Sequence, residues 1–119
     1  MKNYLLDYSE QLANGIEIIC KSIHAKSSAT NVVFQIKKSS SSVFANVSEA
    51  QYPQSLPDML SKLKIARKEC IETESWLKIM FASELIDEPT FKKFRNLCGR
   101  IRRLLTSSCI TIENKINLS

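Results

Sequence analysis

Apolar residues recur along the chain at helical spacing in four stretches divided by short polar breaks, and each stretch puts its large hydrophobics on one face. The first, about 3–25, aligns Leu5, Leu12, Ile16, Ile19 and Ile23. Lys26 to Thr30 break the pattern, with Ser28 or Thr30 as candidate N-cap. A second helix, about 30–51, carries the ridge Ile36, Ser40, Val43, Val47 and Ala50 and stops before Pro53, which disfavours helix at the residue preceding it. The third, about 56–85, opens on Ser55, Pro57 and Asp58, a capping-box spacing, and aligns Met59, Leu63, Ala66, Cys70, Leu77 and Met80. The fourth, about 88–115, has Asp87 as N-cap, Glu88 and Pro89 in its first turn, and Ile86 and Phe91 placed for a hydrophobic staple. Its apolar side is Phe91, Phe94, Cys98, Ile101, Leu105 and Ile112. Long helices joined by such short connections predict an all-α, antiparallel up-down-up-down four-helix bundle, with residues 1–119 as a single domain.

Composition narrows this further. Two glycines and three prolines suit a helical chain, and no apolar run reaches the roughly 18–20 residues of a membrane span. Asp7, Glu10 and Glu17 interrupt the N-terminal pattern where a secretory leader would be uncharged, so a cytoplasmic protein is expected, with no membrane partner. Cys20, Cys70, Cys98 and Cys109 are far apart and sit among apolar helical neighbours, which predicts reduced thiols in the core. With His24 the single histidine and no clustered Cys/His spacing, neither metal nor other cofactor is expected. Ser39 to Ser42 would suit a linker by composition, but they lie within the second ridge, where small residues let two helices approach closely.

Two further faces need an explanation. On the third helix Ile65, Trp76 and Ile79 point nearly opposite to the core stripe, alongside Glu69 and Glu72. Ile65, Glu72, Trp76 and Ile79 are therefore candidates for an interface with another subunit. The other reading puts Trp76 at the bundle margin, under the connection between helices 3 and 4. On the fourth helix, residues 87–119 hold seven basic and three acidic residues, which is +4 of the net +5. No acid occurs between 91 and 112, whereas Lys92, Lys93, Arg95, Arg100, Arg102 and Arg103 are all basic. Lys92, Arg95, Arg102 and Arg103 can form a solvent-facing strip, and with Arg100 they are the candidate contacts to a phosphate backbone. Alternatively the strip is an ordinary solvated face whose charges pair with Glu69, Glu72, Glu74 or a neighbouring subunit.

Residues 35–51, QIKKSSSSVFANVSEAQ, and 63–77, LKIARKECIETESWL, resemble the bacterial four-helix-bundle family named after the 23S ribosomal RNA intervening-sequence protein, the S23 family. In helix 2 the match is the basic pair Lys37-Lys38, the serines 39–42 and the block Ala45-Asn46-Val47-Ser48-Glu49-Ala50. Many relatives carry an S-I-P-S-N-I-A-E-G form, and Phe44 and Ala50 replace its proline and glycine here. Helix 3 matches an E-T-E-x-W-L run through Glu72, Thr73, Glu74, Trp76 and Leu77. The resemblance implies a homo-oligomer, a closed ring of five bundles. It also implies kinship with the accessory variability determinant of diversity-generating retroelements, a basic pentamer that binds a reverse transcriptase and nucleic acid.

Asn46 and Glu49 lie one turn apart beside the core ridge, where they could bond across the bundle to Arg67 or to another subunit, or simply face solvent. For catalysis the ingredients are missing: no nucleophile–base pair, no Gly-rich phosphate loop, and no Glu-x-x-His pair for a di-iron site. The sequence thus predicts a non-enzymatic oligomeric bundle with no catalytic residue and no small-molecule substrate, binding RNA or a nucleic-acid-handling protein such as a reverse transcriptase. A protein–protein scaffold without a nucleic-acid role is the alternative.

Overall fold

In the computed structural model, residues 3–23 and 30–118 are described. They form four helices: α1 (Tyr4–Ile23), α2 (Thr30–Ala50), α3 (Leu56–Ala82) and α4 (Glu88–Leu118). His24 and the candidate cap Ser28 lie outside the described residues.

The marked helix starts behave as local chemistry dictates. Ser55 Oγ accepts the Asp58 amide at 3.1 Å, and Pro57 occupies the first turn, where its missing N–H costs nothing. Asp58 reaches one residue past the cap, accepting the Gln54 amide at 3.1 Å. At α4, Asp87 Oδ1 accepts the Thr90 amide at 2.9 Å, and Ile86 and Phe91 are both buried across the start. Helix α3 ends three residues earlier than the periodicity suggests. Glu84 takes a left-handed φ of 60°, and the amides of Glu84 and Leu85 turn back to the carbonyls of Phe81 and Met80. This closure satisfies the last carbonyls and drops Leu85 onto the core. Helix α4 continues three residues beyond its expected end, to Leu118.

Cross-helix pairs fix the topology. Asn3 meets Gln51 and Glu17 meets Lys37, so α1 and α2 are antiparallel. Ser39 meets Thr73 and Glu49 meets Lys62 between α2 and α3, and Glu74 meets Arg102 and Lys64 meets Glu113 between α3 and α4. Helix α4 closes on α1, where Gly15 lies against the Phe94 ring; a Cβ there would come within 2.5 Å of it. The product is an all-α, up-down-up-down bundle measuring 52 × 23 × 22 Å.

The ridge Ile36, Ser40, Val43, Val47 and Ala50 is wholly buried, as is the expected apolar side of α4. Leu5 and Met59, in the first turns of α1 and α3, are only partly buried, as is Ile19. Two polar residues join the core at the α2–α3 contact: Ser39 and Thr73, joined by a 2.8 Å hydrogen bond. Ser39 and Ser40 of the serine run are therefore part of a packed helix face, while Ser41 is exposed. All four cysteines are buried free thiols. Burial pushes the Cys20 thiol up to about 11, and a hydrogen bond with Cys70 together with burial raises Cys98.

Candidate nucleic-acid interface

The acid-free stretch of α4 projects its basic residues in several directions, and their partners separate them. Lys92 pairs with Glu88 one turn earlier at 2.8 Å, which holds the Glu88 carboxyl below the usual range. Arg102 is gripped by both carboxylate oxygens of Glu74, at 3.2 and 3.4 Å. Arg95 lies over the Phe91 ring at 5.3 Å and Lys93 over Phe94 at 5.5 Å. Among the described residues, Arg95, Arg100 and Arg103 have no carboxylate partner. The expected strip of Lys92, Arg95, Arg102 and Arg103 is thus not one continuous free surface. Two of its members are neutralised inside the chain, because Glu88 lies one turn away and α3 presents Glu74 directly opposite Arg102.

The unpaired arginines gather around Gly99. A Cβ at Gly99 would lie 3.3 Å from Arg103 Nη1, so its lack of a side chain lets that guanidinium lie close over the helix, with Arg102 beside it. The result is a cup of about 400 Å³ lined by Arg95, Asn96, Gly99, Arg100, Arg102, Arg103 and Glu74. On the other flank of Arg100 and Arg103, an open groove of about 350 Å³ runs between α4 and α1, lined by Tyr4, Tyr8, Leu104 and Ser107. The two tyrosine rings stand 5.9 Å apart and tilted by 32°. Sequence reasoning missed these tyrosines. Their i, i+4 spacing was visible, but only the closure of α4 on α1 shows that this edge of α1 faces the arginines.

The expected interface residues of α3 also divide. Ile65 and Ile79 are 40% and 43% exposed, and Ile71, which the sequence pattern did not single out, is 48% exposed. Trp76 instead packs partly buried against its own core, with its indole N–H buried and without an acceptor among the described residues. So large a ring recovers apolar contact at the bundle margin even where its Cα faces away from the core. Glu72 is half-buried; its charge and, more strongly, burial raise the neighbouring Glu69 carboxyl above its usual range. Asn46 Nδ2 donates to the Ser42 carbonyl at 2.9 Å and to Ser42 Oγ at 3.2 Å, within its own helix, while Glu49 pairs with Lys62 at 3.9 Å. Arg67 is not their partner: it lies on the α4 side of α3, close enough to act on the Cys109 thiol.

Among the described residues, no three His, Cys, Asp or Glu side chains converge on a possible metal position, and no helix is long and apolar enough to cross a membrane.

Comparison with known proteins places this architecture. The sequence profile of a family described as 23S rRNA-intervening sequence protein matches residues 2–107. Among solved structures, the chain is similar to a protein of unknown function from the S23 ribosomal protein family of Bacteroides thetaiotaomicron. The two are 32% identical, the match covers 88% of this chain and 97% of that one, and the TM-score is 0.84. No curated protein gives a significant match.

Proposed function

The chain belongs to the family of 23S rRNA-intervening sequence proteins, and from that footing we propose that it is a non-enzymatic, self-associating bundle that binds RNA through the arginine cup of α4. The observation that carries this reading is the pair Arg100 and Arg103, exposed on α4 and without a carboxylate partner among the described residues. Planar guanidinium donors left unpaired at a surface suit phosphate oxygens, and neutralising phosphates releases condensed counterions. The family's name, which ties it to intervening sequences of 23S rRNA, adds an RNA setting.

Titrating the protein against a fluorescent structured RNA at several salt concentrations tests this. Affinity is expected to fall steeply with salt, and Arg100→Gln/Arg103→Gln to lower the log–log salt slope by about 2, one for each phosphate no longer neutralised. Absent or salt-independent binding rejects the reading. Arg102 is the wrong first target, because its neutralisation strands Glu74.

A second reading, a protein–protein scaffold, draws on the exposed isoleucines of α3. Its partner would be another protein with no nucleic-acid role, or further copies of the chain arranged in a ring. Self-association that survives neutralisation of Arg100 and Arg103, together with no RNA binding by the unaltered protein, favours it.

A further inference from the structure

We propose that the cup and the groove flanking Arg100 and Arg103 form one subsite for an unpaired nucleotide, with its phosphate in the cup and its base against Tyr4 and Tyr8. This rests on the RNA reading above and adds to it a preference for single-stranded over duplex RNA.

Three observations carry it. First, the two concavities share a wall, since Arg100 and Arg103 line both. A group held by these guanidiniums therefore has the polar cup on one side and the tyrosines on the other. Second, the two sides differ in chemistry as the parts of a nucleotide do. The cup sets four arginines against one carboxylate, and that carboxylate is already engaged by Arg102. The groove offers two aromatic rings, the aliphatic Leu104 and one hydroxyl, Ser107. Guanidinium forks suit phosphate oxygens, and tyrosine faces suit any base because every base has a π-face. Third, the scale is that of a small ligand. Concavities of about 400 and 350 Å³ lie at the low end of small-molecule sites, too small to take in a helix.

The preference for unpaired RNA follows from geometry. In an A-form helix each base is paired and stacked between its neighbours, so only backbone and groove edges are presented. A duplex can use the arginines but not the tyrosines. An unpaired nucleotide uses both, and Tyr4 has 52% of its surface exposed.

The test compares a short unpaired RNA with a duplex of equal length on the full chain, for the unaltered protein and for Tyr4→Leu/Tyr8→Leu. Leucine keeps apolar contact where Tyr8 packs on the core and removes the π-face. The unaltered protein is expected to bind the unpaired RNA more tightly, and the variant to lose about 5- to 150-fold on it, the range for one stacked base. Duplex affinity is expected to stay unchanged. A 2-aminopurine in the unpaired RNA gives a readout on the unaltered protein and so does not depend on the variant folding: stacking quenches its emission. Unchanged emission on saturation, or full single-strand affinity in the tyrosine variant, overturns the subsite. If Arg100→Gln/Arg103→Gln abolishes binding at the same time, the RNA reading stands and only the nucleotide subsite falls. If the unaltered protein binds neither RNA, both fall.

Discussion

At Thr73 a buried hydroxyl lies 2.8 Å from Ser39 Oγ on α2 and 2.9 Å from the Glu69 carbonyl, one turn back on its own helix. Around it in the chain, Glu74 grips Arg102 on α4, Leu77 enters the core one turn further on the same face, and Trp76 covers the margin. The E-T-E-x-W-L run is thus one segment through which α3 is bound to both its neighbours, alongside Lys62 and Lys64 nearer its start. When one hydroxyl is removed the other keeps a backbone acceptor on its own helix, the Glu69 carbonyl for Thr73 and the Ile36 carbonyl for Ser39, so Thr73→Val or Ser39→Ala alone is expected to cost only about 1 kcal/mol in urea unfolding. The double variant is expected to cost less than the sum by about 0.5 kcal/mol, because the bond between the two hydroxyls is lost only once. Strict additivity would show that the two do not interact. The sequence motif made Thr73 conspicuous without showing what it bonds to, since Ser39 is thirty-four residues away.

For the elements, the ends are governed by single capping groups. Asp87 accepts both the side-chain hydroxyl and the amide of Thr90, which hold its carboxyl below the usual aspartate range. A carboxyl depressed in the folded state stabilises above its unfolded pKa of about 3.9, and that contribution disappears as pH falls through the lower, folded value. Asn at this position still caps the helix but does not titrate. Melting temperature followed against pH is therefore expected to favour the unaltered protein over Asp87→Asn near neutrality. The advantage should shrink below about pH 4. A difference that does not change with pH would remove the titration argument. These starts were legible because a cap acts within one turn. The end of α3 was not, because the left-handed turn there is made by Glu84 and not by the glycine that usually marks it.

On the scale of the whole molecule, the surface of one bundle leaves Ile65, Ile71 and Ile79 partly exposed along α3. Ile65 and Ile79 lie within about 40° of each other around the helix, two spots on one face. If this face is the contact between copies, light scattering is expected to give a multiple of 13.5 kDa, and Ile65→Glu/Ile79→Glu to reduce it to the single-chain mass. A single-chain mass for the unaltered protein rejects the contact. Trp76→Ala is a poor test of assembly, because Trp76 packs on its own core and its loss would first loosen the fold.

Hydrophobic periodicity alone determined the four helices, their antiparallel order and nearly all of the core. One residue's step of about 100° fixes which side chains share a face, and short connections leave little choice of neighbour. Charge counting likewise located the basic segment on α4. What only the tertiary structure decided is which of those charges are already paired. Glu74 comes to Arg102 across twenty-eight residues of chain, and the Tyr4–Tyr8 edge comes to Arg100 and Arg103 only when α4 closes on α1. Periodicity is a property of one helix, whereas pairing depends on the rotation and register of two, which no single helix encodes.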